Sequence, residues 1–144
     1  MIPLELVPGA FVPDAAWRGY TPQQALKWYE LIGPEARNLY FQMVLVDLIF
    51  IKPSYVLLLG SQLVVSDCPM MLCYFPVITA LFDLIETLTH GCAVWWYGVW
   101  SPSVRQLVVA SAATQFKYAF LIVSVLLVLV FWKRQGTVVK DKNK

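Results

Sequence analysis

Three long apolar stretches dominate the pattern of hydrophobic and polar positions along this chain. They cover about residues 34–66, 69–100 and 103–132, and short turns at Ser66–Pro69 and Ser101–Pro102 separate them. Each stretch is longer than the roughly 20 apolar residues that a helix needs to cross a bilayer. The pattern therefore predicts an all-α integral membrane bundle of three long transmembrane helices.

The second stretch, 69–100, is long enough to raise the question of two crossings. Two crossings would need about 20 residues each and a turn between them, and Gly91 alone makes a poor hairpin. We predict a single helix of up to about 48 Å, which exceeds the roughly 30 Å hydrocarbon core, so one end leaves the bilayer. Aromatic residues near the helix ends predict contacts with the membrane interface or with a protein neighbour. These residues are Trp95, Trp96, Tyr97, Trp100 and Trp132.

A short amphipathic helix is predicted ahead of the bundle, at residues 21–33. Thr21 is a suitable N-cap, Pro22 suits the first helical position, and Gln24 completes a capping box. Prolines recur through residues 1–20, which we expect to form an extended arm. The chain does not begin with a basic region followed by an apolar core, so we expect no cleaved signal peptide.

Composition agrees with a membrane protein and argues against nucleic acid as a partner. Hydrophobic residues make up 59% of the 144 residues and charged residues 14%, against roughly 45–50% and about 25% in soluble domains. The net charge is only +2, without a basic stripe. The polar tail at 133–144 is basic, and by the positive-inside rule it weakly favours the cytoplasmic or matrix side.

Three carboxylates and one lysine stand out among the charged residues inside the apolar stretches, where charges are costly and rare. They are Asp47, Asp83, Glu86 and Lys117. Counting residues from the two turns places Asp47, Glu86 and Lys117 at nearly the same height in antiparallel helices. Asp83 lies three residues before Glu86 and His90 lies four residues after it, so these three share one helix face. We therefore predict a polar cluster inside the membrane.

This cluster is open to four interpretations. The first is a buried ion-pair network that sets the register of the helices, and the second is a path for protons or ions. The third is a pocket for a lipid headgroup, with Lys117, Arg105 and Arg37 as candidate contacts to phosphate. The fourth is a metal site that adds His90 to the carboxylates, although the Glu-x-x-His motif of di-iron bundles does not occur. We expect a further lysine, Lys52, to extend its ammonium group toward the surface.

The charged positions also belong to a longer ordered pattern. The residues of the pattern are Gly33, Glu35, Ala36, Arg37, Tyr40, Asp47, Asp83, Glu86, Thr114 and Lys117. Over about residues 20–120 the chain resembles a family of small bacterial polytopic membrane proteins with no assigned function. That family carries Gly-x-Glu-Gly-Arg, then Asp with a Phe-Pro pair, then Asp-x-x-Glu and Thr-x-x-Lys. Here Ala36 replaces a glycine, Ile51-Lys52-Pro53 replaces the Phe-Pro pair, and the family's additional N-terminal span is missing. The resemblance implies that the three acids and the lysine act as a unit, and it implies no activity.

No catalytic arrangement is visible in the sequence. A Cys/His pair at useful spacing, a Gly-rich phosphate loop and a nucleophile elbow are all missing. We therefore expect no enzyme activity and no cofactor, with phospholipid as the one candidate ligand.

Two hypotheses for the function follow. The first is a non-catalytic accessory subunit of a large membrane complex, such as a mitochondrial respiratory complex or ATP synthase. Its partners would be other membrane subunits and phospholipids, with no small-molecule substrate. Its membrane would be the mitochondrial inner membrane or, as the alternative, a bacterial inner membrane. The second hypothesis is an autonomous ion- or proton-coupled transporter or lipid-handling protein that uses the intramembrane cluster.

Overall fold

The computed structural model describes residues 16–142, with side chains described as far as Lys133. Most of the expected arm at 1–20 lies outside these residues. The helices are α1 (Pro22–Leu31), α2 (Pro34–Val46), α3 (Lys52–Val65), α4 (Met70–Cys73), α5 (Phe75–Trp95) and α6 (Val104–Lys142), with a π-helical turn at Asp47–Ile51.

Three helical spans are long and apolar enough to cross a membrane. The first span is Pro34–Val65, the second is Met70–Trp95, and the third is the Val104–Lys133 part of α6. The predicted all-α architecture, with three spans after a short N-terminal helix, is confirmed. Gly91 lies inside α5, so the second stretch crosses once, as predicted.

The predicted capping box starts α1. The Gln24 N–H donates to the Thr21 hydroxyl at 3.2 Å, and the Thr21 N–H donates to the Gln24 side-chain carbonyl at 2.8 Å. Both donors would otherwise be unsatisfied at the helix start. Pro34 then occupies the first turn of α2, where a missing N–H costs nothing. The two helices are therefore separate, and α1 is free to fold over the end of the bundle.

A π-helical turn interrupts the first span at its centre. The N–H of Lys52 donates to the carbonyl of Asp47, five residues earlier. Pro53 follows directly and has no N–H to donate, which disturbs the α-helical ladder at this point. In a continuous α-helix, side chains five apart point about 140° away from each other. The wider turn brings them close to alignment, so Asp47 and Lys52 lie on one face.

The first and second spans are joined by a tight turn around Asp67. Its φ of 52° lies in the left-handed region. The N–H of Cys68 donates to the Leu63 carbonyl at 3.1 Å, and the N–H of Asp67 donates to the Val64 carbonyl at 3.2 Å. These two bonds are those of a Schellman cap, which satisfies the last carbonyls of α3. The chain can therefore reverse direction within a few residues.

The second span differs from the predicted helix at 69–100. It is interrupted at Tyr74, because Pro76 has no N–H for the carbonyl of Leu72. It ends at Trp95, and the following turn contains Gly98 with φ of 87°, a conformation that favours glycine.

The third span also differs from its predicted extent, 103–132. A second capping box starts it, because the Ser103 N–H donates to the Gln106 side-chain carbonyl at 2.8 Å and the Gln106 N–H donates to the Ser103 hydroxyl at 3.3 Å. The helix continues to Lys142, through a segment that contains no proline and is rich in lysine. Part of the predicted polar tail at 133–144 is thus helical.

The central helix of the bundle is α5, which packs against α2, α3 and α6. A Cβ on Gly91 would lie only 3.0 Å from Val44, so glycine permits the close approach of α2 and α5. In contrast, α2 packs little against α6. A gap therefore remains between α2 of the first span and the third span, and we call it the groove.

The hydrophobic core lies at the end of the bundle that α1 covers. Aromatic rings fill it, with the Trp28 and Tyr40 ring centroids 4.9 Å apart in an edge-to-face arrangement. Its buried residues are Tyr20, Ala25, Trp28, Tyr29, Ile32, Tyr40, Val44, Ala93, Val94, Leu107 and Ala110. This packing fixes one end of the three spans, and the groove lies further along them.

Candidate functional site

Two lysines and three carboxylates form one continuous network across the three spans. Lys52 Nζ contacts Asp47 Oδ2 and lies 3.1 Å from Asp83 Oδ2. Lys117 Nζ lies 3.0 Å from Asp83 Oδ1 and 2.6 Å from Glu86 Oε2. Acids and bases alternate along this network, which we call the charged network. The structure thus places the four predicted cluster residues together and adds Lys52 to them.

The expectation that Lys52 reaches the surface is wrong. Its side chain is only 6% exposed, and its ammonium group also donates to the Thr87 hydroxyl at 2.9 Å. The reason is the π turn, which rotates Lys52 onto the same face as Asp47. A signal for this arrangement exists in the sequence, since opposite charges five residues apart are followed at once by Pro53.

Glu86 and Asp83 are fully paired. Glu86 is completely buried, and its Oε1 accepts a hydrogen bond from the Thr114 hydroxyl at 2.5 Å while its Oε2 faces Lys117. Asp83 turns one oxygen toward Lys117 and the other toward Lys52. Buried charges are tolerated when they are paired and hydrogen-bonded in this way. These two carboxylates therefore act as fixed parts of the scaffold.

Asp47 is paired differently from the other two acids. Its side chain is 29% exposed, against 10% for Asp83. Its Oδ2 contacts Lys52 and lies 3.5 Å from the Thr87 hydroxyl. Within the described residues, no hydrogen bond or ion pair reaches its second oxygen, Oδ1. With all five groups ionised the network carries one excess negative charge, and the half-paired Asp47 is where that charge is least compensated.

The groove contains a cavity of about 640 Å³ beside the charged network. This volume falls within the roughly 300–1,000 Å³ of small-molecule sites. Its walls are mostly apolar, and Asp47, Asp83 and Lys117 form its floor. The lining residues are Leu39, Tyr40, Gln42, Met43, Val44, Val46, Asp47, Ile51, Tyr55, Thr79, Asp83, Thr87, Lys117, Tyr118 and Leu121. The wall residues Met43, Val46 and Ile51 are about half exposed, at 55%, 49% and 53%, so the cavity opens sideways.

His90 lies on the same helix as Asp83 and Glu86 but belongs to a different arrangement. It is completely buried, its Nε2 lies 2.5 Å from the Tyr20 hydroxyl, and its Nδ1 lies 2.5 Å from the Tyr29 hydroxyl. A neutral imidazole donates from one nitrogen and accepts at the other. Both nitrogens are thus engaged, which leaves neither for a metal beside Glu86. Among the described residues, no group of three His, Cys, Asp or Glu side chains could hold a metal ion.

The three candidate lipid-headgroup contacts do not converge. Lys117 lies in the charged network. Arg105 is exposed near the start of α6, about 18 Å along the helix from Lys117. The Arg37 guanidinium lies 3.4 Å from the Tyr97 ring centroid and donates to the Tyr29 carbonyl at 3.3 Å. A phosphate-binding set was therefore not found among these three.

The predicted interface aromatics lie at the two ends of the bundle. Trp95, Trp96, Tyr97 and Trp100 are exposed at the end that α1 covers, and Trp132 is exposed near the opposite end. Trp95 stacks on Phe41 of the first span, with ring centroids 4.2 Å apart. These positions suit either a membrane interface or a protein neighbour.

The fold and the site together define a small polytopic α-helical membrane protein with a charged network beside a sideways-opening groove. Comparison of the chain with protein-family models, with curated proteins and with solved structures finds no match.

Proposed function

We propose that this chain is a lipid-handling membrane protein that takes an amphiphilic molecule from the bilayer into the groove. One observation carries the proposal: a cavity of about 640 Å³ that has apolar walls, opens sideways between membrane spans, and has a charged floor. This is the second of the two hypotheses drawn from the sequence.

The lining of the groove favours an occupant with both apolar and polar parts. Side chains such as Leu39, Met43 and Leu121 would cover an apolar chain. A purely apolar occupant would leave the second oxygen of Asp47 without a polar partner at the floor, and leaving a polar group unpaired in an apolar site is costly. A purely polar occupant would leave the apolar walls uncovered.

The rest of the charged network supports the proposal by holding the floor in place. Lys52 of the first span pairs with Asp47 of the same span and with Asp83 of the second span. Lys117 of the third span pairs with Asp83 and Glu86 of the second span. The three spans are thus tied together at the level of the groove. A rigid floor lowers the entropy cost of binding.

A groove-filling substitution tests the proposal. Leu121→Trp places a large ring on the cavity wall, whereas Leu126→Trp places the same ring on an exposed part of the same helix, outside the cavity. The full chain would be purified in detergent, and co-purifying lipids would be quantified by mass spectrometry. We expect about one equivalent of a specific amphiphile in the wild type and Leu126→Trp, and its loss in Leu121→Trp. Equal lipid content in all three, with the composition of the surrounding membrane, would refute the proposal.

A second candidate function, an accessory subunit of a larger membrane complex, is favoured by the exposed aromatic surface at one end. Trp95 is 59% exposed, Trp96 is 53% exposed, and the neighbouring Val99 is 85% exposed. Large apolar side chains that are exposed together at one end of a bundle are typical of an interaction site. Native electrophoresis after gentle extraction, with mass spectrometry of the band, would identify the assembly and its membrane. Migration as a small species would discard this candidate.

A further inference from the structure

We propose that the molecule held in the groove carries a positively charged ammonium group, and that this group binds Asp47. The inference rests on the proposed lipid-handling function and adds the chemical class of the ligand. The shared chemistry is an ammonium on an apolar chain, whether the source is a phospholipid headgroup or a free long-chain amine.

The charges of the network do not balance among themselves. The charged network contains three carboxylates and two lysines. Asp83 and Glu86 have both of their oxygens engaged, and they take both contacts of Lys117 and one of Lys52. Asp47 shares Lys52 and keeps one oxygen without a partner among the described residues. A cation at this oxygen would balance the network.

The excess negative charge lies beside the cavity. Asp47 lines the cavity and has the most exposed side chain of the acids in the charged network. An ammonium group has several N–H donors. It can therefore donate to Asp47 Oδ1 from within the cavity.

Other polar heads fit this site less well than an ammonium group. A phosphate or carboxylate head would bring a second negative charge next to Asp47, and like charges repel strongly where the dielectric is low. A hydroxyl head could donate one hydrogen bond but would leave the excess charge in place. A proton bound to Asp47 would also remove the charge, and the experiment below separates that case from ammonium binding.

Binding of matched probes tests the inference. The full chain would be reconstituted in phosphatidylcholine nanodiscs, and binding of radiolabelled hexadecylamine and hexadecanol would be measured, with empty nanodiscs as background. The two probes have the same chain and differ in the head. The variants are Asp47→Asn, which removes the charge, and Glu35→Gln, which removes an exposed carboxylate from the start of α2.

We expect the wild type and Glu35→Gln to bind hexadecylamine about tenfold or more tightly than hexadecanol, since a hydrogen bond to a charged group is strong. In Asp47→Asn the preference should vanish while hexadecanol binding remains, which also shows that the variant is folded. Competition by added phosphatidylethanolamine would assign the ammonium to a phospholipid headgroup. Unchanged hexadecylamine binding in its presence would assign the ammonium to a free amine.

Three results would overturn the inference. Equal binding of the two probes to the wild type would show that Asp47 is neutral or not used, and would leave the proposed lipid-handling function standing. A hexadecylamine preference that persists in Asp47→Asn would place the ammonium elsewhere. Binding of neither probe would remove the proposed function together with the inference.

Discussion

The charged network makes a quantitative prediction about Lys52. Lys52→Met keeps a long unbranched side chain and removes the ammonium group that contacts Asp47, Asp83 and Thr87. Removing one partner of a buried ion pair costs about 3–5 kcal/mol, because an uncompensated charge remains. Asp83 retains Lys117, and Asp47 is 29% exposed, so part of the cost is relieved. We therefore expect the free energy of unfolding to fall by about 3 kcal/mol.

The assay is reversible unfolding in mixed micelles by titration with sodium dodecyl sulfate, followed by tryptophan fluorescence and circular dichroism. Lys27→Met is the matched control, because Lys27 is exposed on α1 and makes no contact with the network. The double variant Lys52→Met/Asp47→Asn removes both charges and should be more stable than the sum of the single changes, with a coupling energy of about 1–3 kcal/mol. The reasoning is refuted if Lys52→Met costs no more than Lys27→Met, or if the coupling energy is zero.

Three other predictions concern the turn, the N-terminal segment and the cysteines. Asp67→Gly should raise the free energy of unfolding by about 0.5–1 kcal/mol, because Asp67 has a φ of 52°; a loss of stability in the same titration would contradict this. Gly19→Ala should lower the free energy of unfolding by about 1–2 kcal/mol, because Gly19 has a φ of 80° and packs on Gln115. Unchanged amide hydrogen exchange around residue 19 would argue against this. Burial raises the pKa of the Cys68 thiol, which leaves less thiolate at neutral pH. Iodoacetamide at pH 7 should therefore modify the more exposed Cys73 faster than Cys68, and equal rates for these two by peptide mass spectrometry would disprove that order.

Much of the fold could be predicted from the sequence because the signals are local. Long apolar runs define the spans, and a threonine with a glutamine three residues later defines the start of α1. Ser103 and Gln106 carry a similar signal for the start of α6. Counting residues along antiparallel helices also placed Lys117 at the height of Glu86, where the structure has it.

The position of Lys52 and the groove could not be predicted in the same way. Helical periodicity places Lys52 away from Asp47, and only the π turn reverses that. The groove exists because α2 packs on α5 and little on α6. Which helices pack closely depends on contacts such as Gly91 against Val44, which come from distant parts of the chain.

The distribution of charge among the three spans bears on how the chain enters the bilayer. The first span carries an acid and a base that are already paired within it, whereas the second carries two carboxylates and the third a single lysine. Inserting one such charge at the centre of a helix costs about 2.5–3.5 kcal/mol. We therefore expect the first span to insert alone and the other two to insert as a pair. Glycosylation mapping of a chain truncated at Ser101 would show incomplete insertion of the second span, and full insertion would argue against this order. The ion pairs that hold the finished bundle together would then also determine the order in which its helices insert into the bilayer.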